Sequence, residues 1–129
     1  MRATGTRGEL LVAEELIKQG FHASLPLDET QFDLVATNGE NSFRIQVKST
    51  SRPVKDSGTR YHFNITHGNS KKVGYTLSDC DFIVCVALDK RRFWVIPIEE
   101  IKSTLTSIKI LPHKPCKYSK YEGRWNLMV

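Results

Sequence analysis

Cysteine is scarce in this chain, and the three present, Cys80, Cys85 and Cys116, cannot all pair. An odd number with no short paired spacing and no signal peptide argues against a disulfide framework and for a reducing compartment, so a cytoplasmic, intracellular protein is expected. Alternation along one strand would set Cys80 and Cys85 on opposite faces, which denies them a shared zinc ion. His22, His62, His67 and His113 are scattered and read as surface or packing residues. Long apolar runs are missing too. The run at residues 10 to 13 is bounded by Glu9 and Glu14, too short for a membrane span or a secretory core segment. There is no internal repeat, low-complexity tract or linker, and 129 residues fit one self-standing domain, 1–129. Acidic residues are outnumbered, 14 against 19 basic, and the net charge of +5 favours an anionic partner without naming it.

What the chain does contain is one dense stretch of chemically capable residues, from Phe32 to Thr50. Phe43, Ile45 and Val47 alternate with Arg44, Gln46 and Lys48, the period of a half-buried strand, so Gln46 and Lys48 share a face. Asn38-Gly39 upstream is a strong hairpin signal. A four-residue loop at 38 to 41 pairs Thr37 with Ser42 and sets Asp33 opposite Gln46. A two-residue loop at 38 and 39 pairs Asp33 with Arg44 and leaves Gln46 diagonal, about 7 to 8 Å away by Cα. Either even register gathers Asp33, Gln46 and Lys48, whereas an odd loop without a bulge sends Asp33 to the other face.

A carboxylate, an amide oxygen and an ammonium on one sheet face suit a hard divalent cation beside a phosphate. Mg²⁺ takes oxygen ligands, commonly one or two carboxylates with water and phosphate oxygens. A neighbouring lysine can stabilise charge on the phosphate or activate a water. A solvated polar strand face has the same pattern, so both readings stand on these residues alone.

With Glu9 upstream, the order Glu9, Asp33, Gln46-Val47-Lys48 resembles the PD-(D/E)XK nuclease superfamily over roughly residues 5 to 100. The nearest likeness is to small bacterial members with a Gln-x-Lys variant, which include group I intron homing endonucleases, and secondarily to Holliday junction resolvases, which usually carry Glu-x-Lys. Phe32 stands where the motif has proline, a departure the superfamily tolerates. The resemblance implies an α/β restriction-endonuclease-like core, a central mixed sheet flanked by helices. It implies Mg²⁺, with Mn²⁺ as substitute, held by Asp33, Gln46, the Val47 carbonyl and Glu9, with Lys48 positioning or activating the attacking water and Glu9, Asp33, Gln46 and Lys48 forming the catalytic set. Gln46 leaves this site one negative charge short of the usual version. The expected activity is DNA cleavage to 5′ phosphates, of the homing double-strand type. A junction resolvase and a non-catalytic basic nucleic-acid-binding module are the alternatives. One site cuts one strand, so a homo-oligomer, dimer or tetramer, is expected, with the exposed face of the first or last helix as its interface.

The rest of the chain supplies the setting. A helix is expected from Thr6 to about Gln19, stopped by Gly20, with Leu10, Ala13, Leu16 and Ile17 as its buried stripe. Thr6 and Glu9 also spell a capping box, a second role for Glu9. Residues 22 to 25 read as a short strand. Residues 51 to 60 read as a loop whose Arg52, Lys55 and Arg60 either hold DNA phosphates or are simply solvated. A strand at 61 to 66 precedes a polar segment, 67 to 79, with room for a short helix and with Lys71 and Lys72 as further DNA contacts. Residues 82 to 88 are a continuous apolar run, the mark of a strand covered on both sides. Residues 93 to 98 form another strand, and Pro97 with Glu99 and Glu100 starts a helix to about Thr106. The tail, 112 to 125, interleaves lysines with Tyr118, Tyr121 and Trp125, which are expected to pack onto the domain rather than stack on bases.

Overall fold

The computed structural model describes residues 3–55, 59–67 and 73–129. In chain order its elements are helix α1 (Ala3–Lys18) and strands β1 (His22–Ser24), β2 (Leu34–Thr37), β3 (Ser42–Thr50), β4 (Tyr61–Asn64), β5 (Thr66–His67), β6 (Val73–Gly74), β7 (Phe82–Ala87), β8 (Arg92–Pro97) and β9 (Ser107–Ile110). Single 3₁₀ turns occur at Ile98–Glu100, Ser119–Tyr121 and Trp125–Leu127. The main sheet runs β1-β2-β3-β7-β8, with β3 and β7 parallel and the other pairs antiparallel. No helix among the described residues is long and apolar enough to cross a membrane.

The sheet separates two cores, and β7 explains why. Its residues alternate between them: Phe82, Val84 and Val86 join Val12, Leu16, Leu34, Ala36, Ile45 and Val47 on the α1 side. Ile83, Cys85 and Ala87 join Tyr61, Phe63, Trp94, Ile96, Ile108 and Ile110 on the other. A strand buried on both faces needs apolar side chains at every position, which is the pattern read from the chain. The second face is covered by the β4–β9 ribbon and the 3₁₀ turn Ser119–Tyr121, while Trp125 packs into the core on the α1 side.

Several expectations are corrected. The helix begins by Ala3, so Thr6 lies inside it and is not its cap, and the capping-box role of Glu9 falls away. Its buried stripe is Gly8, Val12 and Leu16, while Leu10 and Ile17 are exposed. The helix turns this way because Gly8, having no side chain, lets the backbone press on β3. The expected helix to Thr106 is one 3₁₀ turn, since the run Ser103-Thr104-Leu105-Thr106-Ser107 is rich in hydroxyl residues that favour turns. Residues 67 to 79 carry the β5–β6 pairing and a turn closed by Thr76 N–H donating to Asp79 Oδ2 at 2.9 Å, in place of a helix among the described residues. Cys80 precedes β7, so strand alternation does not reach it, and it joins Cys85 in the same core. Burial pushes both thiols up, Cys80 to about 12.

A half-buried ion pair holds the parallel register. Arg44 N–H donates to Asp81 Oδ2 at 2.7 Å, Asp81 N–H donates back to the Arg44 carbonyl at 2.8 Å, and the guanidinium bonds both Asp81 oxygens and the carbonyls of Leu77 and Ser78. The start of β7 is thereby pinned beside β3 after a long crossover. Burial raises the Asp81 pKa, but the Arg44 side-chain and backbone hydrogen bonds outweigh it and hold the carboxyl below its ordinary value. A carboxylate depressed in the folded state adds stability above its unfolded pKa, about 3.9, and loses it as pH falls through the folded value. Denaturant titrations should show Asp81→Asn about 1 to 2 kcal/mol less stable than wild type at pH 7, with the difference shrinking below about pH 4.

Candidate active site

The loop between β2 and β3 is the four-residue one. Asn38 Oδ1 accepts from Glu40 N–H at 3.1 Å and Asn41 N–H at 2.8 Å, and Gly39 takes the left-handed φ of 95° that the turn requires. Thr37 therefore pairs with Ser42 and Leu34 with Ile45, and Asp33 falls opposite Gln46.

At that point β2 ends while β3 continues to Thr50. Asp33 N–H still donates to the Ile45 carbonyl at 2.7 Å, and the next ladder position is filled by a side chain, with Val47 N–H donating to Asp33 Oδ2 at 2.9 Å. The amide and carbonyl of one strand residue point to the same edge, so the Val47 carbonyl also faces the gap left by β2. Gln46, at 8% exposure, is buried and donates Nε2 to that carbonyl at 3.3 Å.

Helix α1 closes the gap from the other face. A Cβ on Gly8 would stand 1.7 Å from Ser49 Oγ and 2.9 Å from Ser49 Cβ, so only glycine permits this approach. The contact brings the next residue, Glu9, to the mouth of a cavity of about 240 Å³ bounded by Gly5, Glu9, Asp33, Gln46, Val47, Lys48, Ser49 and Asn64. All four polar side chains singled out from the sequence meet there. Lys48 Nζ lies 5.0 Å from the centroid of the Tyr75 ring. Asn64 and Tyr75 were not foreseen: Asn64 arrives on β4 and Tyr75 follows β6, and no local pattern ties either to β3.

The other expected residues divide. Arg52 and Lys55 are exposed on the connection after β3, and Arg60 is half-buried, its backbone paired with Val54 at 2.7 and 3.0 Å. Lys71 and Lys72 lie outside the described residues. The tail packs as expected, with Tyr118, Tyr121 and Trp125 buried and Tyr121 Oη donating to Glu100 Oε1 at 2.7 Å. Lys117 and Lys120 sit over the Tyr118 and Tyr121 rings at 5.6 and 5.3 Å. Those rings are committed to the protein and not presented to bases.

Chemically the cavity offers two carboxylates, two side-chain amides, a backbone carbonyl and an ammonium. Among the described residues no three His, Cys, Asp or Glu side chains gather as a metal cluster. The donors at this cavity are oxygens, a set that fits a hard cation with part of its shell left to water and substrate.

The chain is similar to known proteins in family and in fold. Residues 1–127 match the family model described as PD-(D/E)XK endonuclease. No curated protein sequence matches. Among solved structures, the bacterial homing endonuclease I-Ssp6803I shares the fold with a TM-score of 0.82 at 21% identity, over 98% of this chain and 91% of that one. The Holliday junction resolvase Hjc of Archaeoglobus fulgidus, an archaeal hyperthermophile, gives 0.53 at 18% identity over 84% of each chain.

The two helical glycines beside the cavity make opposite predictions. Gly8→Ala should destabilise by about 1 to 3 kcal/mol through overpacking against Ser49, more than the roughly 1 kcal/mol that alanine gains in a helix. Gly5, with nothing within 4 Å of its Cβ position, should be stabilised by alanine. Chemical denaturation of both variants checks the pair.

Proposed function

We propose that this chain, which belongs to the PD-(D/E)XK endonuclease family, hydrolyses DNA phosphodiester bonds with a divalent cation at the cavity on the open edge of β3. The observation that carries the reading is the meeting of Glu9, Asp33, Gln46 and Lys48 where β2 leaves β3, with the Val47 carbonyl on the same edge. Asp33, Gln46 Oε1, the Val47 carbonyl and Glu9 would hold Mg²⁺, or Mn²⁺ in its place. When bound, the cation supplies charge neutralisation at the phosphate and lowers the pKa of a bound water.

The chain's own groups do the rest. Asp33 would bring its carboxylate to the cation while Oδ2 accepts from the Val47 N–H. Gln46 turns its amide about the last torsion to present oxygen instead of nitrogen. Lys48 donates to the scissile phosphate and to the attacking water, balancing the charge that gathers on phosphorus oxygens. A P–O bond forms from water, the P–O3′ bond breaks, the water's proton leaves to solvent, and the 3′ oxygen is protonated. The products are a 5′ phosphate and a 3′ hydroxyl. Arg52, Lys55 and Arg60 follow β3 directly and would hold flanking phosphates, together with Lys71 and Lys72. Such a substrate and three free cysteines favour an intracellular protein.

The reading extends to a homing-type double-strand cutter acting as a homo-oligomer, dimer or tetramer. Fold agreement over nearly the whole chain with a homing endonuclease supports the first part. The second is supported by α1: Leu10, Ile17 and Leu25 line an apolar groove of about 270 Å³, are exposed, and have the fully exposed Leu27 close by in the chain. Glu9 borders both this groove and the candidate site, so a second copy docked there would adjoin the chemistry.

Supercoiled plasmid, linear duplex and four-way junctions with Mg²⁺ provide the test. Asp33→Asn and Lys48→Ala should each reduce cleavage at least about 100-fold, a loss of about 2.7 kcal/mol of transition-state stabilisation, with DNA binding nearly kept. Wild-type binding without cleavage of any substrate in Mg²⁺ or Mn²⁺ would instead identify a basic binding module, and preference for the junction would identify a resolvase. Leu10→Lys combined with Ile17→Lys should yield a monomer by light scattering that nicks one strand but no longer makes double-strand breaks. An unchanged oligomer refutes that interface.

A further inference from the structure

We propose that Tyr75 is a positioning residue for Lys48, fixing the direction of the ammonium through the face of its ring. The catalytic importance of this placement rests on the endonuclease reading, whereas the placement itself does not. The 5.0 Å separation between Lys48 Nζ and the ring centroid is within the range at which an aromatic quadrupole attracts a cation. Tyr75 is only 5% exposed, so little water competes.

The ring is held by its own surroundings. His67, across the β5–β6 pair, packs on it with centroids 4.5 Å apart at 46°. His67 Nε2 lies 3.5 Å from Asp79 Oδ2, the oxygen that accepts Thr76 N–H and closes the turn after Tyr75. On the preceding side Gly74 lies so close to the Ser103 carbonyl that a Cβ would stand 2.0 Å from its oxygen. Both flanks of Tyr75 are therefore anchored.

The chemistry gives this arrangement a purpose. A lysine reaches its target on a flexible four-carbon stem, and orientation has to come from a partner. Gln46 puts a neutral amide two residues before Lys48, where the usual motif has a carboxylate. A ring face attracts the ammonium without taking its proton or adding a charge that repels the DNA phosphate. Thus Tyr75 orients the ammonium without a charge of its own.

The full chain tests this by NMR and kinetics. The Lys48 Cε protons, identified by loss of their signal in Lys48→Ala, should be shifted upfield of the other lysines by ring current. Tyr75→Phe should keep that shift and Tyr75→Leu should abolish it. At saturating DNA with Mg²⁺, Tyr75→Leu should cleave about tenfold more slowly with unchanged DNA affinity, and Tyr75→Phe should stay within about twofold of wild type. An ordinary shift for Lys48 in the wild type, or a folded Tyr75→Leu protein that cuts at full rate, overturns the proposal. Should Tyr75→Leu not fold, the wild-type and Tyr75→Phe spectra decide. A shifted Lys48 in a protein that cuts no DNA upholds the placement and refutes the endonuclease reading, and cleavage without the shift does the reverse.

Discussion

The hydrogen bond from the Val47 amide to Asp33 Oδ2 stands where another residue of β2 would have paired with β3. Much of the site follows from that exchange of a strand for a carboxylate. It holds Asp33 at the sheet edge, leaves the Val47 carbonyl facing a gap, and lets Glu9 approach from the helix side while Gln46 and Lys48 approach from the other. A sheet fully paired at this point would satisfy the backbone internally and leave no oxygen to offer. The parallel register beside it is secured separately by Arg44 and Asp81, so the gap can open without loosening the strand on its far side.

Legibility in the chain followed the range of each interaction. The Asn38-Gly39 turn and the alternation of Phe43 to Lys48 are local, and either even register they allow gathers Asp33, Gln46 and Lys48; the Asn38 side-chain bonds that select the four-residue loop set Asp33 opposite Gln46. The double-faced burial of β7 was likewise written in its uninterrupted apolar run. The helix face was not legible: a stripe of Leu10, Ala13, Leu16 and Ile17 is good amphipathic periodicity, yet the buried line is Gly8, Val12 and Leu16. Hydrophobicity alone ranks a glycine low, while its real contribution is the space it vacates for Ser49. Asn64 and Tyr75 were invisible for a different reason, since each reaches β3 only through tertiary folding.

The helix face and the apolar groove beside it are linked. Because Gly8 turns the helix, Leu10 and Ile17, which periodicity would have buried, are left outside beside Leu25. The same close packing that delivers Glu9 to the cavity thus creates the apolar groove on its other flank. Site and groove share one residue and one cause. On the far side of the sheet, Tyr75 and Trp94 belong to the second core, so the lysine is tied to packing that the helix does not touch.

The gap beside Val47 also bears on solubility. An uncovered run of amides and carbonyls is a template onto which a stray chain can add as an extra strand, the route to sheet-to-sheet association. With Asp33 bonded to the Val47 amide, the edge presents a negative charge where an incoming strand would need a neutral carbonyl. The carboxylate therefore works as a guard against misassembly apart from any role in chemistry, and neutralising it would remove that guard.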